Sequence, residues 1–242
     1  MLKGLKDITI DTLPLEYKLQ IKRTPCRVEI ILKESEFKMR YELFKRLNTG
    51  GEGLSRQEIR NCIFRGLDSR YSEFIAELSK NNIFRDIVNI SVSNEEKMYY
   101  EELVLRYLTL KNKGTRYPQA NIQDYMDDYL ESQCTEFDEV QMETDRVMFS
   151  NIMKILEELK DENIFKLGKR YFTTSIYDAI MLSLSDSTVD LENVNINQLG
   201  EKIVILKESE AFNKYVGSAS SNPTSITNKV KIAKKVLLDI TE

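Results

Sequence analysis

Residues that break a chain are scarce here, with 9 Gly and 4 Pro in 242 residues, about half the usual share for a soluble protein. A sandwich of short strands needs a turn every ten residues or so, and this chain lacks the residues to make them. Long helices are what such a sequence permits. With 41% hydrophobic and 31% charged residues, the composition is globular rather than disordered. The length suits one large domain or two small ones. The expected fold is mainly α, a multi-helix domain with a small β element near the N-terminus.

Absences remove whole classes of chemistry. There is no His, which excludes Ser-His-Asp and Cys-His catalysis, His-ligated metals and His-based nuclease motifs. Cys26, Cys62 and Cys134 are odd in number and far apart. They form neither a zinc pattern nor a disulfide framework and read as reduced thiols of a cytoplasmic protein. No run of 18 apolar residues occurs, so no membrane span is expected. In MLKGLKDITI, Asp7 and Thr9 interrupt the apolar stretch that a signal peptide needs. A net charge of -4 gives no support to a generic DNA-coating role.

Leu13-Pro14 and Thr24-Pro25 are breaks, with a short helix expected between them at 15–21. CRVEIIL at 26–32 is β-branched and is the clearest strand. Its partners are few, so an open edge is expected, completed by a partner chain or by self-association. Periodicity predicts helices near 35–48, with Ser35 as N-cap, and near 69–80, 82–88, 94–111, 118–132, 138–160, 175–185, 196–207, 208–215 and 224–240. Pro118 is expected in a first helical turn. RYFTT at 170–174 fits a strand or a turn, and GSASSNPTS at 217–225 a loop.

The richest local signal is LFKRLNTGGEGLSRQEIRNCIFRG, 43–66: helix, glycine loop, capped helix. Ser55 and Glu58 form a capping box. The helix it opens is expected to pack through Ile59, Cys62 or Ile63, and Leu67. A Gly-rich loop feeding a helix N-terminus is also a natural anion site, with Arg46 and Arg56 adding positive charge and Asn48, Thr49 and Ser55 offering polar groups. The capping box and turn explain the same residues as pure structure, which spacing alone favours. Neither GxxxxGK[ST] nor GxGxxG is present.

Phe44, Leu47, Asn48, Thr49, Gly50, Gly51, Leu54, Ser55, Glu58, Ile59, Arg60 and Asn61 together resemble the signature of a large bacterial family. It includes the N-terminal part of GmrSD-type restriction and phage-defence proteins. Weaker similarity continues through 101–110, 176–184 and 225–237, so the resemblance covers most of 13–240. It implies a ParB/sulfiredoxin-like nucleotide-sensing fold, here in its middle and C-terminal part: a partial ParB-like region over 1–66 and a helical region over 67–242. The family's Asp-Gly-Gln-Gln-Arg hydrolysis motif is absent, because no Asp precedes a Gly. The HNH nuclease that often follows is excluded by the lack of His. The resemblance therefore implies a truncated or split member without catalytic residues of its own. By similarity, Arg46 and Asn48 are the phosphate or metal contacts. The helix N-terminus at Ser55 to Gln57 is the anion cradle, Glu58 orients Arg60 or caps the helix, and Thr49, Gly50, Gly51, Arg60 and Asn61 complete the nucleotide-binding set. A nucleoside triphosphate with Mg²⁺ is the ligand implied, and no metal-binding residues are read from the sequence itself.

Residues 121–145 carry nine acids and no base. The run lacks calcium-loop spacing, and a solvated acidic face is expected. Residues 211–238 carry five Lys and no acid. Lys229, Lys231, Lys234 and Lys235 on the last helix offer a nucleic-acid contact, although lysines near a helix C-terminus are ordinary dipole partners. The aromatic residues fall at helical spacing and are expected in the core.

Overall fold

The computed structural model describes residues 9–26, 28, 30, 37–47, 53–118, 121–168, 171–217 and 220–238. The chain divides into two compact units, 1–44 and 45–242. Residue 66, where the sequence suggested a boundary, lies inside the second unit, in the turn after a helix.

In the first unit, α1 is Leu15–Arg23, started by Pro14 and ended at Thr24, whose hydroxyl donates to the Gln20 carbonyl at 2.7 Å. It buries no residue. The strand expected at 26–32 falls partly outside the described residues. Cys26, Val28 and Ile30 are described, none of them is in a strand, and Val28 and Ile30 are 76% and 80% exposed. Helix α2, Phe37–Leu47, crosses the division; Ser35 lies outside the described residues.

The second unit holds eleven α-helices among the described residues: α3 (Arg56–Phe64), α4 (Ser69–Ser79), α5 (Asn82–Val88), α6 (Val92–Glu96), α7 (Tyr99–Lys113), α8 (Ile122–Thr135), α9 (Glu139–Glu158), α10 (Thr174–Leu184), α11 (Ile196–Glu208), α12 (Glu210–Asn213) and α13 (Pro223–Leu237). The chain is mainly helical, as the shortage of Gly and Pro requires. Lys166–Leu167 (β1) and Tyr171–Phe172 (β2) pair antiparallel, Lys166 opposite Phe172 and Leu167 opposite Tyr171. This ribbon is the sheet structure among the described residues. It sits late in the chain, not near the N-terminus where the β element was expected.

α10 is the central element. Every residue from Ser175 to Leu184 is buried, as expected for a helix with apolar residues on every side, and its polar residues Ser175, Asp178 and Ser183 are buried with them. It packs against α13 and α7; α7 also packs on α4 and α8, and α9 on α5. The aromatic residues assemble in this core. Phe84 stands edge-on to Tyr100 and Phe149, and Phe165 edge-on to Tyr177.

Two expected helices change shape. The run expected over 94–111 breaks into α6 and α7 at Met98, whose φ is 58°. Pro118 does not start a helix; α8 begins at Ile122, where the Asn121 side chain accepts from the Asp124 N–H at 3.0 Å. An Asn N-cap satisfies a free donor that Pro at that place cannot.

Three polar networks, one buried and two partly buried, join the helices, and each includes a residue of α7. At its start, Glu101 and Glu102 meet α3 and α8. In its middle, Arg106 makes a bidentate pair with Asp178 of α10, at 2.7 and 2.6 Å. At its end, Lys111 and Asn112 each donate to Asp145 of α9 at 2.7 Å, and Asn112 also donates to the Tyr129 hydroxyl, itself 2.6 Å from that of Tyr71.

Candidate functional site

The signature residues are built around α3. Its capping box forms as the sequence predicts. The Ser55 hydroxyl accepts from the Glu58 N–H at 3.1 Å, and the Glu58 carboxylate accepts from the Ser55 N–H at 2.7 Å. Glu58 therefore caps the helix and does not orient Arg60. The Ser55 hydroxyl also donates to the Lys97 carbonyl at 2.8 Å. Asn61 donates to the Met98 sulfur at 2.9 Å and to the Glu101 carboxylate at 2.5 Å. The break between α6 and α7 is thus held from outside, by two residues of the signature.

The packed face of α3 is polar, which corrects the apolar face expected from periodicity. Ile59 is buried and Ile63 half-buried as expected, but Cys62 is exposed and Leu67 is 41% exposed. Their places are taken by Gln57, Arg60, Asn61 and Phe64, all buried. These positions share one face by their i, i+3, i+4, i+7 spacing.

Arg60 is wholly enclosed, with 0% exposure. Its Nε donates to Asp127 at 2.6 Å. Nη1 donates to the Gln57 side chain at 3.2 Å. Nη2 donates to the Gln123 carbonyl and side chain at 3.0 and 2.6 Å. A guanidinium has five N–H donors in a fixed fork, so these bonds use most of its capacity inside the protein. Arg56 reaches the same carboxylate, 3.2 Å from Asp127 and 2.9 Å from Asp124. Gln57 donates to Asn61 at 3.2 Å, and Gln123 to Glu102 at 2.9 Å. The result is one connected network tying α3 to α7 and α8. A buried ion pair contributes little net stability over apolar packing, but removing one partner costs about 3–5 kcal/mol. The network is therefore a clasp whose members must stay together.

Of the other candidate residues, Arg46 is exposed near the end of α2. Asn48, Thr49, Gly50 and Gly51 lie outside the described residues. The structure thus brings Ser55, Glu58, Arg60 and Asn61 together, each bonded within the protein.

The acidic run is not a uniform solvated face. Asp127 and Asp124 belong to the clasp, and Asp145 is fully buried. The lysine helix is likewise not a continuous basic stripe. Lys229 is fully buried, donating to the Ser175 hydroxyl at 2.9 Å and the Ser220 carbonyl at 2.8 Å. Lys234 pairs with Asp186, whose pKa its hydrogen bond holds at about 2. Burial pulls Lys229 down to about 8. Burial also opposes the charge of Arg106, but the Asp178 carboxylate outweighs it and holds the guanidinium above its usual range.

Sequence reasoning missed Asp127, Gln123, Glu101, Asp178 and Lys229 as structural partners. Asp127 stands 67 positions from Arg60, a separation that leaves no local pattern. Among the described residues, no group of three or more Cys, Asp or Glu is placed to hold a metal ion. No helix among them is long and apolar enough to cross a membrane. Comparison of the chain with protein-family models, with curated proteins and with solved structures finds no match.

Proposed function

We propose that this chain is a cytoplasmic, non-catalytic helical subunit of a GmrSD-type restriction or phage-defence system, working by protein interaction. In this reading the signature that elsewhere serves nucleotide sensing is used here to hold the helical body together. The observation that carries it is the position of Arg60, enclosed and bonded to Asp127, Gln57 and Gln123. Ser55 and Asn61, which the resemblance places in the nucleotide-binding set, are likewise bonded to Lys97 and Glu101. The partner-facing surface is the segment 26–32, proposed to add a strand to another chain; the exposure of Val28 and Ile30 supports this. Lys229 and Lys234 are engaged within the protein, which gives a nucleic-acid role for the last helix little support.

The test is a thermal melt of the full chain against ATP, GTP, CTP and UTP, each with and without Mg²⁺. Occupancy at 100 times the dissociation constant adds about 2.7 kcal/mol, a shift of several degrees for a chain of this length. The expected result is no selective shift. A Mg²⁺-dependent, nucleotide-selective rise that disappears in Asn48→Ala would overturn the reading in favour of a working phosphate loop at 46–58.

A further inference from the structure

The outer side of α9 carries apolar residues that nothing in the second unit covers. Val140 and Val147, seven positions apart and so on one face, are 78% and 51% exposed. With Met148, and with Leu191 of the short 3₁₀ helix Leu191–Asn193, they line an open groove of about 880 Å³. Its charge is negative. Glu139 and Glu143 line it beside one base, Arg146. That guanidinium is already shared between Glu143 and Glu77. Glu139 forms no ion pair among the described residues, so its carboxylate is available to a cation.

Helix α1 has the complementary chemistry. Leu15, Tyr17, Leu19 and Ile21 are all exposed, and the helix buries no residue. Leu15 with Leu19, and Tyr17 with Ile21, are two i, i+4 ridges on opposite sides of the helix. A helix that is apolar on two sides suits a groove with two walls better than a flat surface. Lys18, Lys22 and Arg23 stand against a single acid, Glu16, and Lys22 and Arg23 form no ion pair among the described residues. Lengths also agree. Nine residues of α1 span about 14 Å, and the stretch of α9 along the groove, 139 to 151, spans about 18 Å. So short a helix is marginal in water unless its apolar residues pack against something, and within its own chain α1 buries none.

We propose that α1 of one copy of this chain docks in the α9 groove of a second copy. Leu15, Leu19, Tyr17 and Ile21 cover Val140, Val147, Met148 and Leu191, and Lys22 or Arg23 meets Glu139. This is the helix-in-groove mode of recognition. The contact joins unlike surfaces, so reciprocal docking closes a dimer, and one-way docking leaves a free α1 and a free groove for further copies. No residue of 26–32 or 46–61 takes part, so the contact stands apart from the surface and the signature helix discussed above.

The experiment is sedimentation of the full chain over a range of concentrations. Concentration-dependent self-association is expected. It should be weakened roughly tenfold or more by Leu15→Glu with Ile21→Glu in α1, and equally by Val140→Lys with Val147→Lys in the groove. All four positions are exposed, so both variants should melt near the wild type. The decisive sample is an equimolar mixture of the two variants. One supplies an intact groove and the other an intact α1, so the mixture should form a one-to-one complex at concentrations where each variant alone is monomeric. A wild-type chain that stays monomeric at every concentration, self-association that either double variant leaves unchanged, or a mixture that does not associate overturns the proposal.

Discussion

Lys229 gives the chain an unusual dependence of stability on pH. Burial lowers its pKa from the ordinary 10.5 to about 8, with Asp178 pulling it up and Arg106 pushing it down. That difference corresponds to about 3 kcal/mol against the charged form in the folded state. Because the folded value lies below the unfolded one, the unfolded chain binds more protons between these two values. Stability then rises with pH across that window. From about pH 7.5 to about pH 9.5, roughly 2 kcal/mol of the penalty is lifted, which for a chain of this size is a gain of roughly 4–8 °C in Tm. Other groups titrate in this range, so the quantity to follow is the difference between wild type and Lys229→Met. The variant also loses the bonds to Ser175 and Ser220, an offset that does not vary with pH. Melts in phosphate-free buffer should show the difference moving by about 2 kcal/mol in favour of the wild type as the pH rises. A difference that stays flat would refute the reasoning, because it would mean that Lys229 titrates alike in both states.

The clasp on α3 should behave as a coupled pair. Asp127→Ala is expected to cost about 3–5 kcal/mol in urea unfolding by leaving Arg60 buried without its carboxylate, whereas Arg60→Met with Asp127→Leu should cost markedly less than Asp127→Ala alone. Lys160, exposed just past the end of α9, has φ 51°. Lys160→Gly should raise the urea midpoint by about 0.5–1 kcal/mol equivalent, because glycine enters this region without the penalty of a side chain. On the acid side, Asp186 is held at about 2, first by the Lys234 hydrogen bond and then by Thr188. Its contribution is present above the ordinary value of 3.8 and is lost as the pH falls toward 2. The stability difference between wild type and Lys234→Met should therefore shrink by about 1–2 kcal/mol between neutral pH and pH 2.

What could be read in the sequence was what is local. The capping box needs only Ser55 and Glu58, three positions apart, and it forms as its spacing says. α5 and α10 fall where the periodicity puts them, because Asn81 marks one start and the apolar residues Ile176, Tyr177, Ala179, Ile180, Met181, Leu182 and Leu184 mark the other. The break at Met98 left no such trace, because the bonds that hold it come from Ser55 and Asn61 in another helix. Periodicity also misjudged the face of α3, since Arg60 and Gln57 count as surface residues unless an Asp and a Gln from α8 are known to meet them. Lys229 failed for the same reason. It sits in a run of lysines that reads as solvated, yet it points at Ser175, 54 positions earlier. Of the candidate site, the cap was legible and the clasp was not.

The placement of the three networks along α7 bears on how the second unit comes apart. Residues 101 to 112 span about 16 Å of helix, with amide partners on α3 and α8 at one end and ionic partners on α10 in the middle and α9 at the other end. Turning this helix by one residue, or sliding it by one turn, would break all three sets of bonds together. Partial opening at α7 therefore has no cheap intermediate. Its amide protons should exchange only when the whole unit unfolds, while those of α1, which buries nothing, should exchange far sooner.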